Sequence, residues 1–352
     1  MTDACPAAAT DPIRWGILAT GKIAHSFAAD LMLVPGARLA AVGSRRAASA
    51  EEFAAAYDRH GPVRAHGSYE DLVADPEVDV VYIASPHGLH LEHARLALEA
   101  GKHVLCEKAL TLNAAEAEEM VAIARANDRF LMEAMWTACH PVVRKLQQGL
   151  REGRFGTPRL MHAELGFVVS VDASDRMFDP TLGASALLDM GIYPLTFAHL
   201  LFGEAESLTA QANVRETAVG SFDVDIVMTG KYAGGVLATM NSSMSSWSSR
   251  AAAIATDRGR IELADFHHPT RAVFIEYAAG STNDSSAVAP VVDIVGDEPV
   301  IGRGYGNEAA EVGRCLRAGL RESPLVPWAQ TIALLRAMDS IRETVGARYA
   351  GE

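Results

Sequence analysis

Between residues 13 and 134, short apolar runs rich in Val, Ile and Leu alternate with longer stretches in which apolar positions recur every three or four residues. The short runs have the continuous apolar character of strands buried on both faces, and the longer stretches have the period of amphipathic helices. Runs at 13–18, 39–43, 78–84, 103–106 and 130–133 therefore predict five strands, with a helix from 22 to 33 after the first. Strands and helices in strict alternation imply a parallel sheet covered on both faces. The helix boundaries are marked: Ser68 with Asp71 and Asn113 with Glu116 resemble capping boxes, and Gly101 follows the pattern at 89–100 as a C-terminal stop.

After about residue 135 the pattern changes. A helix at 141–152 leads through Gly156-Thr157-Pro158 into a strand-like run at 159–171, and further runs follow at 207–214, 223–231, 235–241, 251–256, 260–263 and 273–277. Short glycine turns such as Ala233-Gly234-Gly235 favour antiparallel neighbours. Two helices, 307–318 and 328–345, close the chain, and 280–289 reads as a flexible loop. The expected fold is α/β. A doubly wound Rossmann domain at 12–134 precedes an α+β domain at 135–352 built on a large, mostly antiparallel open sheet.

Composition narrows the partners. Thirty-one basic against 44 acidic residues give a formal charge of −13 over 352 residues, which argues against nucleic acid, since phosphate neutralisation needs clustered Lys and Arg. Cys5, Cys106, Cys139 and Cys315 are widely spaced with no Cys-x-x-Cys pair, so a reducing, cytoplasmic setting is expected. Residues 1–12 lack a basic then apolar signal pattern, and the apolar stretch 186–203 carries Asp189, Pro194 and His199, which suit a membrane span poorly.

Candidate chemistry begins after the first strand. Ala19-Thr20-Gly21-Lys22-Ile23-Ala24 matches a dinucleotide fingerprint in which Ala19 stands where a first Gly is usual, and the following helix offers free N–H groups to a phosphate. The second strand ends in Ser44-Arg45-Arg46 where an acidic residue would hold ribose hydroxyls. A hydroxyl and two guanidinium groups suit a 2′-phosphate instead, so NADP is expected over NAD. Ser85, Pro86 and His90 follow another strand, on the nicotinamide side. His87, His90 and His93 share a helical spacing without accompanying carboxylate or cysteine, so no metal is expected there. Glu107-Lys108 follows the strand at 103–106, and Asp189 and Tyr193, four apart, share one helix face.

With these segments, Glu107-Lys108-Ala109, Glu133-Ala134-Met135-Trp136, Leu188-Asp189-Met190-Gly191-Ile192-Tyr193 and Gly304-Tyr305-Gly306-Asn307-Glu308, the chain resembles the glucose-fructose oxidoreductase, inositol dehydrogenase and MocA family of NAD(P)-dependent oxidoreductases. It most resembles the dihydrodiol and NADP-dependent xylose dehydrogenase branch. The resemblance implies hydride transfer between nicotinamide and a secondary or anomeric C–OH of a sugar, polyol or cyclic trans-diol. It also implies a catalytic group of Lys108, Asp189 and Tyr193, and a homodimer or dimer of dimers formed through the open sheet. Trp136, Thr137 and His140 are expected at the substrate pocket, as are Phe178 and Asp179.

Two departures from the family pattern bear on the site. Ala19 replaces Gly, which would set the loop farther from the pyrophosphate. Ala109 replaces the family's Pro, and because a non-proline cis bond costs about 2.5–4 kcal/mol, a trans bond is expected. A free Tyr ionises near 10, so base work near pH 7 needs about 4 kcal/mol of phenolate stabilisation. One ammonium at ~4 Å supplies about that at an effective dielectric of ~20. Lys108 is therefore expected to tune Tyr193, although a lysine base partnered by Tyr193 remains an alternative. A cofactor-retaining epimerase or glycosidase, or a non-catalytic sensor of nucleotide and sugar, are the rival functions.

Overall fold

The computed structural model describes residues 11–169, 176–277 and 290–349. The N-terminal segment, the end of the run at 159–171 and the loop at 280–289 lie wholly or partly outside the described residues.

Six strands, β1 (Ile13–Leu18), β2 (Ala37–Gly43), β3 (Arg64–His66), β4 (Val80–Ile83), β5 (His103–Glu107) and β6 (Leu131–Ala134), form one parallel sheet in the order β3-β2-β1-β4-β5-β6. That is the doubly wound order, in which the chain reverses direction across the sheet between β1 and β4 and opens a crevice at the strands' C-terminal ends. The β1, β4 and β5 side chains from Trp15 to Leu18, Val80 to Ile83 and Val104 to Cys106 are almost entirely buried, as continuous apolar runs require. Within this sheet β3 alone escaped the sequence reading: it has three residues, two of them exposed, and no apolar run.

Eight further strands, β7 (Pro158–Gly166), β8 (Ala205–Thr217), β9 (Gly220–Tyr232), β10 (Val236–Ser243), β11 (Ala252–Thr256), β12 (Gly259–Leu263), β13 (Ala272–Glu276) and β14 (Val291–Ile294), form the second sheet. Its order is β14-β13-β12-β11-β7-β10-β9-β8, and every neighbour is antiparallel except β7 with β10. One face is buried through Met161, Ala163, Ile226, Met228, Ala238 and Met240. It packs on the helix Ile192–Phe202 and the turn before it. The other face leaves Leu160, Val227 and Leu237 more than half exposed. The apolar segment Pro180–Phe202 is a core element, 83% buried.

Both expected caps form. Ser68 Oγ accepts from Asp71 N at 3.0 Å and Asn113 Oδ1 from Glu116 N at 2.9 Å. Asn113→Ala removes the acceptor at the start of the helix Ala114–Ala126. It is expected to cost ~1 kcal/mol in chemical denaturation, the usual loss for a capping side chain; an unchanged midpoint would show that the cap contributes nothing here.

Candidate functional site

The exits of β1, β2, β4, β5 and β6 converge on one cleft of about 1390 Å³. Its wall takes Ala19, Thr20, Gly21, Lys22 and Ile23 from the first turn, Ser44, Arg45 and Arg46 from the second, Ser85 and Pro86 from the fourth, and Glu107 and Lys108 from the fifth. Trp136, Asp189 and Tyr193 complete it from beyond the first sheet.

The phosphate end keeps its shape despite the Ala19 substitution. Ala19 adopts φ 81°, the left-handed conformation usually left to glycine, and its N–H donates to Gly43 O at 3.0 Å. The tight turn therefore forms without the first glycine, at a conformational cost of about 1–2 kcal/mol. Gly21 precedes the helix Lys22–Leu31 in extended backbone without a side-chain cap, and a Cβ placed on it would meet nothing within 4 Å. The first N–H groups of that helix are thus open to an anionic ligand in the cleft. At the second strand's exit, Arg46 N reaches Ser44 Oγ at 3.5 Å. Tyr69, also on the wall, is held above the usual phenol range by burial, with the Arg45 charge opposing.

The chemical end is organised by Lys108. Its ammonium donates to Asp189 O at 2.7 Å and Asp189 Oδ1 at 3.2 Å, and stands 5.0 Å from the centroid of the Tyr193 ring. Asp189 lies in a π-type turn, Leu187–Gly191, in which Ile192 N bonds back to Leu187 O. The α-helix resumes at Ile192, one residue before Tyr193. Such wide turns are frequent at functional sites. Here the turn brings both the Asp189 backbone oxygen and its carboxylate to one lysine. Burial and the nearby Tyr305, Glu107, Asp189 and Glu308 push the Tyr193 phenol well above its ordinary value. Burial and these neighbours act in the direction opposite to the downward tuning expected from Lys108.

The Lys108–Ala109 peptide is cis, correcting the expectation of a trans bond. Tertiary contacts hold its surroundings: His87 Nε2 lies 2.9 Å from Lys108 O, the His90 ring spans Ala109 O (3.0 Å) and Ser85 O (2.8 Å), and Leu110 N donates to Glu133 Oε1 at 3.0 Å. None of these partners is local to Ala109, so local propensity carries no sign of them. Beneath the loop the buried Glu107 accepts from Tyr82 Oη and is held above the usual carboxylate range by desolvation.

Five expected contacts need correction. His90 does not face the cleft; it is fully buried, its pKa lowered to about 4 by burial, and it ties the Ser85 turn to the Lys108 loop. Thr137 is buried and donates to His267 O at 2.8 Å, and His140 caps the helix Pro141–Arg151. Phe178 packs edge-on to Phe222 beneath Arg215, and Asp179 accepts from Thr181 N at 2.9 Å and Thr181 Oγ1 at 2.6 Å. Each side chain is engaged in packing, a cap or a tertiary hydrogen bond, which sequence spacing does not separate from a pocket contact.

Other residues were missed. Tyr305 stacks on Trp136 with centroids 4.6 Å apart, His267 meets the Trp136 and Tyr193 rings at 5.6 and 5.3 Å, and Arg250 and Phe167 also line the cleft. The sequence signals for this wall were the adjacent His267 and His268 before Pro269 and the family segment 304–308 that holds Tyr305.

Comparison with known proteins agrees with this architecture. Residues 13–135 match a model described as an oxidoreductase family with NAD-binding Rossmann fold, and 143–262 match the GFO/IDH/MocA C-terminal domain. The chain is 35% identical over 349 residues to trans-1,2-dihydrobenzene-1,2-diol dehydrogenase of Mus musculus, covering 96% of this chain and 98% of that one. It is 34% identical over 368 residues to D-xylose 1-dehydrogenase (NADP(+)) of Hypocrea jecorina, covering 96% and 93%. Among solved structures, the 3-ketoreductase KijD10 from Actinomadura kijaniata, crystallised with NADP and TDP-benzene, shares the fold. The TM-score is 0.80 at 24% identity, with 95% of this chain and 98% of that one covered. With both halves of the chain matched and relatives above 30% identity over nearly its whole length, this chain is a member of the GFO/IDH/MocA oxidoreductase family.

Proposed function

We propose that the chain is an NADP-dependent oxidoreductase acting on a secondary or anomeric C–OH of a sugar, polyol or cyclic trans-diol. The observation that carries this reading is that the Lys108–Asp189 pair and Tyr193 share one cleft with an uncapped helix N-terminus and Ser44-Arg45-Arg46. The open cradle at Gly21 and the cationic turn at Arg45 and Arg46 fit a phosphorylated dinucleotide, which when bound supplies the hydride chemistry. The activities of the dihydrodiol and xylose dehydrogenase relatives support the same substrate class.

In this reading the Tyr193 hydroxyl exchanges a proton with the substrate oxygen, donating it when a carbonyl is reduced. Asp189 occupies two of the three donors of Lys108, which leaves one for the same oxygen. Asp189 fixes the ammonium, and Trp136 and Tyr305 supply a flat apolar wall that keeps water from the reacting centre. A screen of aldoses, polyols and cyclic trans-diols with both nucleotides, followed by absorbance of the reduced nicotinamide, tests the reading. Turnover with at least one is expected, and none with any would overturn it.

Arg45→Ala should weaken NADP binding about 10–100-fold, about 1.4–2.8 kcal/mol for a charge-assisted phosphate contact, while leaving NAD binding nearly unchanged. Titration of both nucleotides distinguishes this from a general loss, and better binding of NAD by the unmodified protein would contradict it.

The same reading includes a homodimer or dimer of dimers, supported by Leu160, Val227 and Leu237 on the open sheet face, 55%, 56% and 52% exposed. Leu237→Glu puts a charge in that patch and is expected to give a monomeric mass in light scattering. A monomer before substitution would refute the assembly. The buried free thiols Cys106, Cys139 and Cys315 accord with a cytoplasmic setting.

A further inference from the structure

Asp265, His267 and His268 follow β12 in one short segment and bring one ligand-capable atom each to within 4.8 Å of one another. Asp265 Oδ1 and His267 Nδ1 stand 2.7 Å apart as a close carboxylate–imidazole pair that lacks the alignment of a good hydrogen bond. His268 Nδ1 lies 3.6 Å from the second oxygen of the same carboxylate. Two ligands of one small divalent ion sit roughly 3 Å apart, each aimed at the ion rather than at its neighbour. That geometry leaves two close polar atoms without a well-aligned mutual hydrogen bond.

We infer that Asp265, His267 and His268 form a three-ligand site for a divalent transition ion between the substrate cleft and the pocket beside it. Two imidazoles and one carboxylate suit Zn²⁺ or Co²⁺ and disfavour Mg²⁺ and Ca²⁺, which prefer an all-oxygen shell. Three protein ligands leave a coordination position open, as in catalytic rather than structural zinc sites. His267 lines the cleft, 5.3 Å from the Tyr193 ring centroid, whereas Asp265 and His268 line the neighbouring pocket. The outer shell is already built. Thr137 Oγ1 fixes the His267 backbone oxygen at 2.8 Å, and the Trp136 ring stands edge-on to both imidazoles. Arg250 Nη2, 3.5 Å from Asp265 Oδ2, is the cation an incoming ion would displace. His87, His90 and His93 do not compete as ligands, since their rings are engaged with Lys108 O, Ser85 O and Ser85 Oγ.

The test uses tag-free full-length protein, stripped with a chelator and titrated with Zn²⁺ by calorimetry and with Co²⁺ by visible absorption. One ion per chain is expected, with the intense d–d bands of four-coordinate Co²⁺. Asp265→Asn and His268→Ala should each weaken binding by at least about tenfold, since even loss of an outer-shell partner costs 10–100-fold. His268→Cys should retain the ion and add a thiolate-to-Co²⁺ charge-transfer band, which keeps the test informative if the alanine variant folds poorly. Absence of binding by the unmodified chain, or binding unchanged in the Asp265→Asn/His268→Ala pair, would overturn the assignment.

Discussion

Tyr193→Phe is expected to lower turnover by about 10²–10⁴, the usual contribution of a positioned general acid or base, while leaving nucleotide affinity near that of the unmodified chain. The substitution keeps the ring that packs against His267 and Trp136 and removes only the hydroxyl. A large fall in turnover therefore reads on the proton and not on the wall. Burial and neighbouring acidic groups hold the phenol well above its ordinary range. Carbonyl reduction, which consumes the phenolic proton, should accordingly proceed across neutral pH. Alcohol oxidation needs the phenolate and should rise as pH rises. A flat oxidation profile from neutral into the alkaline range, with chemistry rate-limiting, would contradict the role given to Tyr193.

Lys108→Met should cost about 10²–10³ in turnover, comparable to removing one preorganised donor from a developing oxyanion. It also removes the ammonium that pairs with Asp189 on the cleft wall. The sign of the pH effect separates tuning from simple damage. A positive charge beside a phenol favours the phenolate, so deleting it raises the phenol's pKa further and shifts the alkaline rise of oxidation to higher pH. If Lys108 were the base itself, Lys108→Met would abolish that rise, and Tyr193→Phe would leave it in place at reduced rate. Lys108→Arg keeps the charge with a different donor geometry; it should restore the position of the rise while leaving turnover low.

Much of the fold was legible because its signals are local. Continuous apolar runs marked β1, β4 and β5, and the capping residues Ser68 and Asn113 marked two helix starts within single turns of chain. The strand β14 was not legible, since three of its four residues are exposed and it lies on the sheet's edge. At the site, residues that leave a strand's C-terminal end were found from topology: Ser44, Ser85 and Lys108 all reach the cleft. Residues brought in by tertiary packing were not. Nothing around position 267 or 305 announces contact with Trp136, and the left-handed Ala19 that preserves the phosphate turn is a backbone feature its side chain does not advertise. The helical spacing of Asp189 and Tyr193 indicated a shared face, yet the π-type turn that delivers two Asp189 oxygens to Lys108 is set by packing in the core.

The central claim is that Lys108 and Tyr193 serve one proton transfer. Single-turnover hydride-transfer rates for the unmodified chain, Tyr193→Phe, Lys108→Met and the double variant test it most directly. Residues that act as a unit are strongly non-additive, so the double variant is expected to be about as slow as the slower single variant. A double variant slowed by the product of the two single effects would show that the two groups act independently, and would contradict the account.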